Sequence, residues 1–333
     1  MNVLHSIDPA RRHLLAVAAL ALLAGNSTVQ AQNSSAYPNR AIRIVVGYPP
    51  GGSSDATARL LGAALSTKLG QPVIVDNKPG ANTAIAAQYV KSQPADGYTL
   101  FAVQSAFVIN PALMPQSYNV TTDFTSVALV GSIPLVMVTS NQNPAKTVSD
   151  MMTMAKAKPG QLSYASYGAG GAGHIATEMI LSMAGADMIH VPYRGSGPAL
   201  VDVMGNQVPM LLSTVTAAIG IAKEGKVKPI AVTSTKRISS FPQVPTVAES
   251  GFANYELVEW EAIQAPANTP KDVIDTLNKA FREVVAMPEV RAKMATVGIE
   301  PDATKTPAEL TTFIQKERDK FAKIIQDRGI KPQ

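Results

Sequence analysis

Short runs of β-branched and apolar residues alternate with longer amphipathic stretches along most of the chain. Such runs predict β-strands at residues 42–46, 73–75, 99–103, 135–139, 162–165, 188–191 and 230–232. Between the first two lies a predicted helix at residues 55–69, where Leu61 and Leu65 share one face and Gly70 follows as a C-terminal stop. This alternation is typical of α/β proteins, in which helices connect the parallel strands of a sheet.

Three capping patterns predict where further helices begin. Thr147, Thr269 and Thr306 are each followed three residues later by an acidic residue, as in a capping box. Pro270 and Pro307 follow the last two threonines, and proline is favoured at the first helical position. We therefore expect helices to begin directly after these three threonines.

The first 31 residues have the pattern of an export signal. Arg11 and Arg12 precede an apolar run at residues 14–24, and residues 29–31 (VQA) fit a small-residue cleavage site. The run is too short for a membrane-spanning helix, which needs roughly 20 apolar residues. We expect cleavage after Ala31 and export to the periplasm. The paired arginines also resemble part of a twin-arginine signal, so the general secretory and twin-arginine routes both stay open.

The composition excludes several classes of protein. The chain has 0 cysteines, so it has no disulfide framework, no thiol nucleophile and no cysteine for lipid attachment. Its 29 basic and 24 acidic residues make it mildly basic. Because the basic residues are scattered and not interleaved with aromatic ones, nucleic-acid binding is poorly supported. We expect a soluble periplasmic monomer.

The length of the mature chain suits two domains of ordinary size. We expect the chain to cross between two lobes near residues 133–135 and again near residues 260–265. The predicted lobe 1 is discontinuous and comprises residues 35–134 plus 261–333. The predicted lobe 2 comprises residues 135–260.

Two glycine-rich loops are the strongest candidates for chemistry. Residues 48–55 (YPPGGSSD) and 166–174 (SYGAGGAGH) each follow a predicted strand and open a predicted helix. Such turns expose backbone N–H groups at the positive end of a helix dipole, where anions bind. The alternative for the first loop is a structural turn capped by Ser53 or Ser54. Asp55 either compensates the helix dipole or accepts a hydrogen bond from the ligand.

The second loop also spells G-x-G-x-x-G at residues 168–173, which is formally the dinucleotide fingerprint. The strand predicted after it does not end in the acidic residue that binds a ribose, so we favour a smaller anion such as a carboxylate. His174 has neither H-E-x-x-H nor cysteine around it, and Ser196 lacks a G-x-S-x-G frame. We therefore expect no metal, no cofactor and no catalytic residue, and we expect His174 to cap or pack.

Many ordered segments resemble one family, the Bug-type periplasmic solute receptors of tripartite tricarboxylate transporters. The matching segments cover nearly the whole mature chain and include residues 37–38 (YP), 49–52 (PPGG), 77–81 (NKPGA), 94–100 (PADGYTL), 110–111 (NP), 164–166 (YAS), 173–174 (GH), 191–195 (VPYRG), 231–234 (AVTS), 244–251 (VPTVAESG) and 265–266 (AP).

The resemblance implies a type II periplasmic-binding-protein fold, in which two α/β lobes close over a carboxylated ligand and deliver it to a membrane permease. It implies ligand contacts from both glycine loops and from two further loops. The implied residues are Tyr48, Gly51, Gly52, Ser53, Ser54, Asp55, Gln104, Ser105, Ser166, Gly168, Gly170, Gly171, Ala172, Ser213 and Thr214. Trp260, the single tryptophan, lies near the second predicted crossing, where it either walls the cleft or packs in the core.

Two residues depart from the pattern of the family. Tyr48 stands where the family often has phenylalanine, and Gly171 stands where it often has serine or threonine. Glycine at position 171 lacks the hydroxyl of serine or threonine, so it removes a hydrogen-bond donor and leaves more room for a ligand. Both changes favour a ligand with a bulkier and less polar body than an amino-acid-like diacid, such as an aromatic carboxylate.

Two other functions fit parts of the sequence. A sensor that docks on a signalling partner would have the same receptor chain, so the sequence does not separate it from a transport receptor. A periplasmic enzyme would need a nucleophile with its base, or a cofactor, and the sequence shows neither.

Overall fold

The computed structural model describes residues 37–330, except for the side chain of Arg328. The predicted signal segment at residues 1–31 lies outside the described residues. Residues 38–330 belong to one compact unit, and the description below concerns that unit. No helix within this range is long and apolar enough to cross a bilayer.

The strands of this unit join in one sheet with the order β2-β1-β3-β9-β4-β7-β5-β6, and β8 and β10 pair with β4. The strands are β1 (Ile42–Val46), β2 (Val73–Asn77), β3 (Thr99–Gln104), β4 (Phe124–Ser140), β5 (Ser163–Ser166), β6 (Ile189–Pro192), β7 (Met210–Thr214), β8 (Val227–Val232), β9 (Val258–Pro266) and β10 (Glu300–Pro301).

Helices connect and cover these strands. They are α1 (Ser53–Leu69), α2 (Ala84–Lys91), α3 (Ala106–Leu113), α4 (Val148–Ala157), α5 (Ala172–Ala184), α6 (Ser196–Met204), α7 (Val215–Lys223), α8 (Lys271–Ala286), α9 (Pro288–Thr296) and α10 (Pro307–Arg328), with a short 3₁₀ turn at Ala81–Thr83 before α2.

The sheet is parallel at its two flanks and antiparallel at its centre. Strand β1 pairs in parallel with β2 and β3, and β5 pairs in parallel with β6 and β7. Strand β9 runs antiparallel to β3 and β4, and β4 runs antiparallel to β7 and β8. The predicted parallel βα pattern therefore holds for the flanks. The sequence pattern does not predict the antiparallel pairing of the long central strands β4 and β9.

Strand β4 is the longest and links the two halves of the sheet. From Phe124 to Pro134 it pairs with β9, and from Leu135 to Ser140 it pairs with β7 and β8. Its side chains alternate between faces, so Met137 belongs to one hydrophobic cluster and Val136 to another. Helices consequently cover both faces of the sheet, as the α/β pattern predicts.

Two of the three predicted helix starts are confirmed as capping boxes. The hydroxyls of Thr147 and Thr306 accept from the backbone N–H three residues later, with donor–acceptor distances of 3.0 and 3.3 Å. The prediction for the third helix start, at Thr269, was wrong in detail. Pro270 occupies the N-cap of α8, and the Thr269 hydroxyl instead donates to the carbonyl of Pro266 at 2.8 Å.

Candidate functional site

Two adjoining cavities lie beside the loops that follow β1, β5 and β6. The smaller one, the polar chamber, has a volume of about 110 Å³. Its lining residues are Tyr48, Pro49, Pro50, Gly51, Gly52, Ser53, Ser54, Gln104, Tyr167, Arg194, Gly195, Ser196, Gly197, Pro198 and Thr214. Many of these residues are predicted from the sequence, and the fold brings the first loop together with Gln104 and Thr214.

The larger cavity, the apolar chamber, has a volume of about 800 Å³. It shares Tyr48, Pro49, Tyr167, Arg194 and Gly195 with the polar chamber, so the two cavities are neighbours. Its other lining residues are Gly47, Pro79, Gly80, Ala81, Asn82, Ile85, Asn110, Met114, Gln116, Gly168, Ala169 and Tyr193.

Three helices begin at the wall of the polar chamber. Gly52 is the N-cap of α1, Gly195 is the N-cap of α6, and Thr214 is the N-cap of α7. The N-cap residues of α1 and α6 are glycines, which have no side chain to accept from the first backbone N–H groups of these helices. Because each helix N-terminus carries partial positive charge, their convergence on one small cavity favours an anion there.

Buried polar side chains complete the wall of the polar chamber. The Gln104 side-chain amide donates from Nε2 to Ser53 Oγ at 3.2 Å. The Ser54 hydroxyl donates to Oε1 of Glu261 at 2.9 Å. Ser53, Ser54 and Gln104 are all buried, so their rotamers are held by packing as well as by these bonds.

Asp55 lies in the first turn of α1 but does not line either chamber. Its carboxylate accepts from the Gly51 backbone N–H at 2.9 Å, from Asn77 at 3.0 Å and from the Arg59 guanidinium. Burial raises the pKa of Asp55, but the hydrogen bonds from Arg59, Gly51 and Asn77 outweigh burial and hold its pKa below the usual value. In this geometry Asp55 fixes the shape of the first glycine loop.

The second glycine loop contributes Gly168 to the apolar chamber, whereas Ser166, Gly170, Gly171 and Ala172 line neither cavity. The Ser166 hydroxyl lies 2.6 Å from Nε2 of His190. The backbone N–H of Gly171 donates within the loop to the carbonyl of Gly168 at 3.0 Å, and Ala172 is fully buried. Their role as ligand contacts therefore stays a prediction.

Close packing against Asn82 and its neighbours explains two glycines of this loop. A Cβ atom at Gly168 would lie 2.8 Å from Oδ1 of Asn82, and one at Gly170 would lie 2.7 Å from Leu113 Cδ1. Gly170 also has φ +73°, a left-handed conformation that glycine adopts easily. These glycines allow the loop to approach the segment around α2 and α3.

His174 accepts a hydrogen bond at Nδ1 from the backbone N–H of Gly170 at 3.1 Å, and its ring stacks on that of His190 with centroids 4.0 Å apart. Burial, followed by the charge of His190, lowers the pKa of His174 to about 3, so the ring stays neutral. Of the two roles expected for His174, packing is the one seen, since its ring is buried and Gly171 is the N-cap of α5. Residues 37–330 contain no group of three or more His, Cys, Asp or Glu side chains that could hold a metal ion.

Three further candidates are buried away from both chambers. Ser105 and Ser213 are inaccessible, and their hydroxyls have no hydrogen-bond partner among the described residues. Trp260 packs edge-on against Phe313 and donates from Nε1 to Glu317 at 3.0 Å. Trp260 is thus part of the core in this structure.

The turn at residues 194–198 was not among the sequence candidates, although it lines the polar chamber. It reads RGSGP, follows β6 and opens α6. A third glycine-rich turn from a strand to a helix was the signal that could have found it. Arg194 lines both chambers, is exposed and forms no salt bridge within residues 37–330.

Two buried glutamates of β9 lie directly behind the chamber wall. Glu259 accepts at Oε2 from the Tyr167 hydroxyl at 3.0 Å, and Glu261 accepts at Oε1 from Ser54. The second oxygen of each carboxyl is buried and has no partner among the described residues. Burial raises the pKa of Glu259 to about 7 and that of Glu261 to about 8. Neither glutamate is among the site residues predicted from the sequence.

The chain belongs to the tripartite tricarboxylate transporter family of receptors, because the model of that family matches residues 57–330. Protein BugT of Bordetella pertussis is 34% identical over 302 residues, which cover 90% of this chain and 92% of BugT.

Solved structures of the same kind superpose closely. Rpa4515 of R. palustris, solved with adipate, gives a TM-score of 0.86 at 31% identity and covers 89% of this chain and 100% of its own. MatC from Rhodopseudomonas palustris, solved with bound malate, gives a TM-score of 0.81 at 28% identity and covers 87% of this chain and 100% of its own. The fold is that of a two-lobed periplasmic binding protein, as the sequence analysis expected.

Proposed function

We propose that this chain is a periplasmic receptor that captures a small carboxylate and delivers it to a membrane permease of the tripartite tricarboxylate type. The observation that carries the proposal is the convergence of three helix N-termini, those of α1, α6 and α7, on the polar chamber. The adipate of Rpa4515 and the malate of MatC, both carboxylates, support this choice of anion.

Residues 35–134 plus 261–333 would form one lobe, and residues 135–260 the other. Strands β4 and β9 are the proposed connections, since β4 changes its pairing partners between Pro134 and Leu135. A carboxylate bound to α1 contacts the first lobe, and the same carboxylate contacts α6 and α7 of the second. The ligand favours the closed state because it makes both sets of contacts only there. The receptor acts as a monomer and releases its ligand unchanged.

The ligand body is proposed to be bulky and apolar, as in an aromatic carboxylate. The apolar chamber has room for such a body, and it is lined by Pro79, Ile85 and Met114. Ile85 and Met114 are exposed, so a ligand that covers them gains from the burial of apolar surface. Arg194, between the two chambers, can pair with a carboxylate or lie over an aromatic ring.

The test uses the mature protein in a thermal-shift and calorimetric panel of benzoate, phenylacetate, adipate and malate. The methyl ester of each acid is the matched control, because it keeps the body and removes the charge. We expect stoichiometric binding of at least one acid, no binding of its ester and no product by mass spectrometry. Equal binding of acid and ester, or turnover of the acid, would contradict the proposal.

Delivery to a permease needs its own experiment. The ligand-loaded receptor is expected to bind membranes that contain the cognate permease and to support uptake of labelled acid by them. A receptor that binds its acid but supports no uptake, and that instead captures a signalling protein, would be a sensor.

A further inference from the structure

Glu259 and Glu261 are separated by one residue in β9, so their side chains point to the same side of the strand. They are 0% and 1% exposed, respectively. Each carboxyl accepts a hydrogen bond from a hydroxyl of the chamber wall: Tyr167 donates to Glu259, and Ser54 donates to Glu261. Both hydroxyls belong to residues that line the polar chamber. Each of the two glutamates therefore contacts the polar chamber through one intervening hydroxyl.

No cation compensates this pair within residues 37–330. The groups around the carboxyls are the Tyr48 and Tyr167 phenols, the Ser54 and Thr57 hydroxyls and the Gln104 amide. Burial, and then the charge of Glu259, raises the pKa of Tyr48 well above its usual value, so this phenol stays neutral.

Charged groups of the neighbouring segments are engaged elsewhere or face the cavity. Asp55 is held by Arg59 in the first turn of α1, and Arg194 lines the chambers from the loop after β6. Lys320 of α10 pairs with Glu317, which contacts Trp260 in the core. Two ionised carboxylates without a cation would be costly in this buried place.

The hydroxyl of Ser54 can donate only one hydrogen. While Glu261 is ionised, that hydrogen is used by Glu261 Oε1, and Ser54 presents lone pairs to the chamber. When Glu261 is protonated, its own O–H can donate to Ser54 Oγ, and the Ser54 hydrogen becomes free to turn into the chamber. When Glu259 is protonated, its O–H can likewise donate to the Tyr167 oxygen, which also accepts from the Gly173 backbone N–H at 3.0 Å, and the Tyr167 hydrogen is released.

The geometry points to Glu259 and Glu261 as positioning residues for a ligand carboxylate. The pair takes up a proton when the ligand binds, and the chamber wall can then donate a hydroxyl hydrogen to the ligand carboxylate. This inference rests on the proposed function of the polar chamber. The proton comes from solvent and forms one O–H bond on a glutamate, while the ligand brings one negative charge. The net charge of the buried site stays constant, which removes the cost of bringing an anion beside an ionised carboxylate.

The binding experiment measures the affinity for benzoate and for adipate from pH 6 to pH 9 by calorimetry in buffers of different ionisation enthalpy. Both acids stay ionised over this range. We expect wild-type protein to take up about one proton per ligand above pH 8 and to lose about tenfold in affinity per pH unit there. In Glu261→Gln, whose side chain cannot take up a proton in this pH range, we expect this uptake and the loss of affinity with pH to be much reduced.

Glu317→Gln is the matched control, because Glu317 is also a buried, hydrogen-bonded glutamate but contacts Trp260 instead of the chamber. It should keep the proton uptake of wild type. Binding that does not change with pH, or the same uptake in Glu261→Gln as in wild type, would overturn the inference and leave the proposed function intact.

An infrared titration tests the pair without any ligand. At pH 6 wild-type protein is expected to show a protonated-carboxyl band that is lost in part in Glu261→Gln and that disappears as the pH is raised to 9. Absence of a band sensitive to Glu261→Gln would overturn the inference. If neither acid binds at any pH while the band titrates, the proposed ligand class fails and the protonated pair stands.

Discussion

The side-chain amide of Asn82 donates from Nδ2 to the main-chain carbonyl of Ala169 at 2.8 Å. The same nitrogen donates to Oδ1 of Asn110 at 3.0 Å, and Asn110 in turn donates to the carbonyl of Asn82 at 2.6 Å. Asn82 has φ 44° and lies between Ala81 and Thr83, which also have positive φ. Such strain persists only where the surrounding structure holds it, and here it presents an amide to the second glycine loop.

We expect Asn82→Asp to weaken ligand binding. Aspartate tolerates the left-handed backbone nearly as well as asparagine, but it cannot donate to Ala169 or Asn110. The bond to Ala169 joins the two proposed lobes and so favours the closed state. Its loss is worth about 1 kcal/mol, so the affinity measured by calorimetry should fall roughly fivefold. Hydrogen exchange of residues 168–171 should become faster, because the loop loses its contact with Asn82.

Asn141→Asp is the matched control for this change. Asn141 also donates its amide to a carbonyl in another part of the chain, that of Gly225 at 2.6 Å, but it lines neither chamber. Its affinity for the ligand should equal that of wild type. Similar losses in both variants would show that the Asn82 bond has no special link to the site.

The first glycine loop was predictable because its signals are local. Gly51, Gly52 and Ser53 follow a strand and open a helix within a few residues, and the fold confirms both elements. Glu259 and Glu261 were not predictable in this way. Strand β9 was missed because it mixes glutamates with apolar residues, which obscures a buried strand. Its place behind the chamber wall depends on pairing with β3 and β4, and that pairing is not local.

The packing of the second glycine loop was not predictable from its motif alone. Asn82, Asn110 and Leu113 lie close to Gly168 and Gly170. Contacts between distant segments set this packing, no local pattern reports them, and the anion site that the motif predicts here stays a prediction. The turn at residues 194–198 had the same kind of local signal and does line the polar chamber.

Gly52→Val should weaken binding without unfolding the protein. A Cβ at Gly52 would have the Pro49 carbonyl at 3.7 Å as its nearest neighbour, so the backbone accepts a side chain. The valine methyl groups would then occupy part of a chamber of about 110 Å³. We expect at least tenfold lower affinity by calorimetry and a Tm within a few degrees of wild type. Gly220→Val, in open space on α7, is the control, and a comparable loss there would contradict the assignment of the site.

The buried glutamates predict how stability changes with pH. The folded-state pKa values of Glu259 and Glu261 are raised by burial to about 7 and about 8, above the usual value of 4.5. At pH values between the usual and the raised pKa, the folded state binds more protons than the unfolded state. The free energy of unfolding therefore falls as the pH rises from about 5 to about 8. Because one pKa unit corresponds to about 1.4 kcal/mol, the two shifts together should lower the free energy of unfolding by several kcal/mol.

Urea denaturation at pH 5.5 and pH 9 measures this loss. Glu261→Gln should make the free energy of unfolding depend less on pH, because the amide does not ionise. Glu317→Gln should keep the wild-type dependence, since Glu317 lies away from the pair. Wild-type protein that is equally stable at both pH values would contradict the raised pKa values.

Met114→Ala should change the choice of ligand as well as the affinity. The Met114 side chain is 41% exposed in the apolar chamber, where the body of an aromatic acid would cover it. Loss of that contact should cost roughly 1 kcal/mol, or about fivefold in affinity, for phenylacetate. Malate has no apolar body to cover Met114 and should lose less. Met183→Ala removes a methionine of similar exposure, 37%, that lines neither chamber, and it should affect neither acid. Equal losses for phenylacetate and malate in Met114→Ala would mean that the apolar chamber does not hold the ligand body.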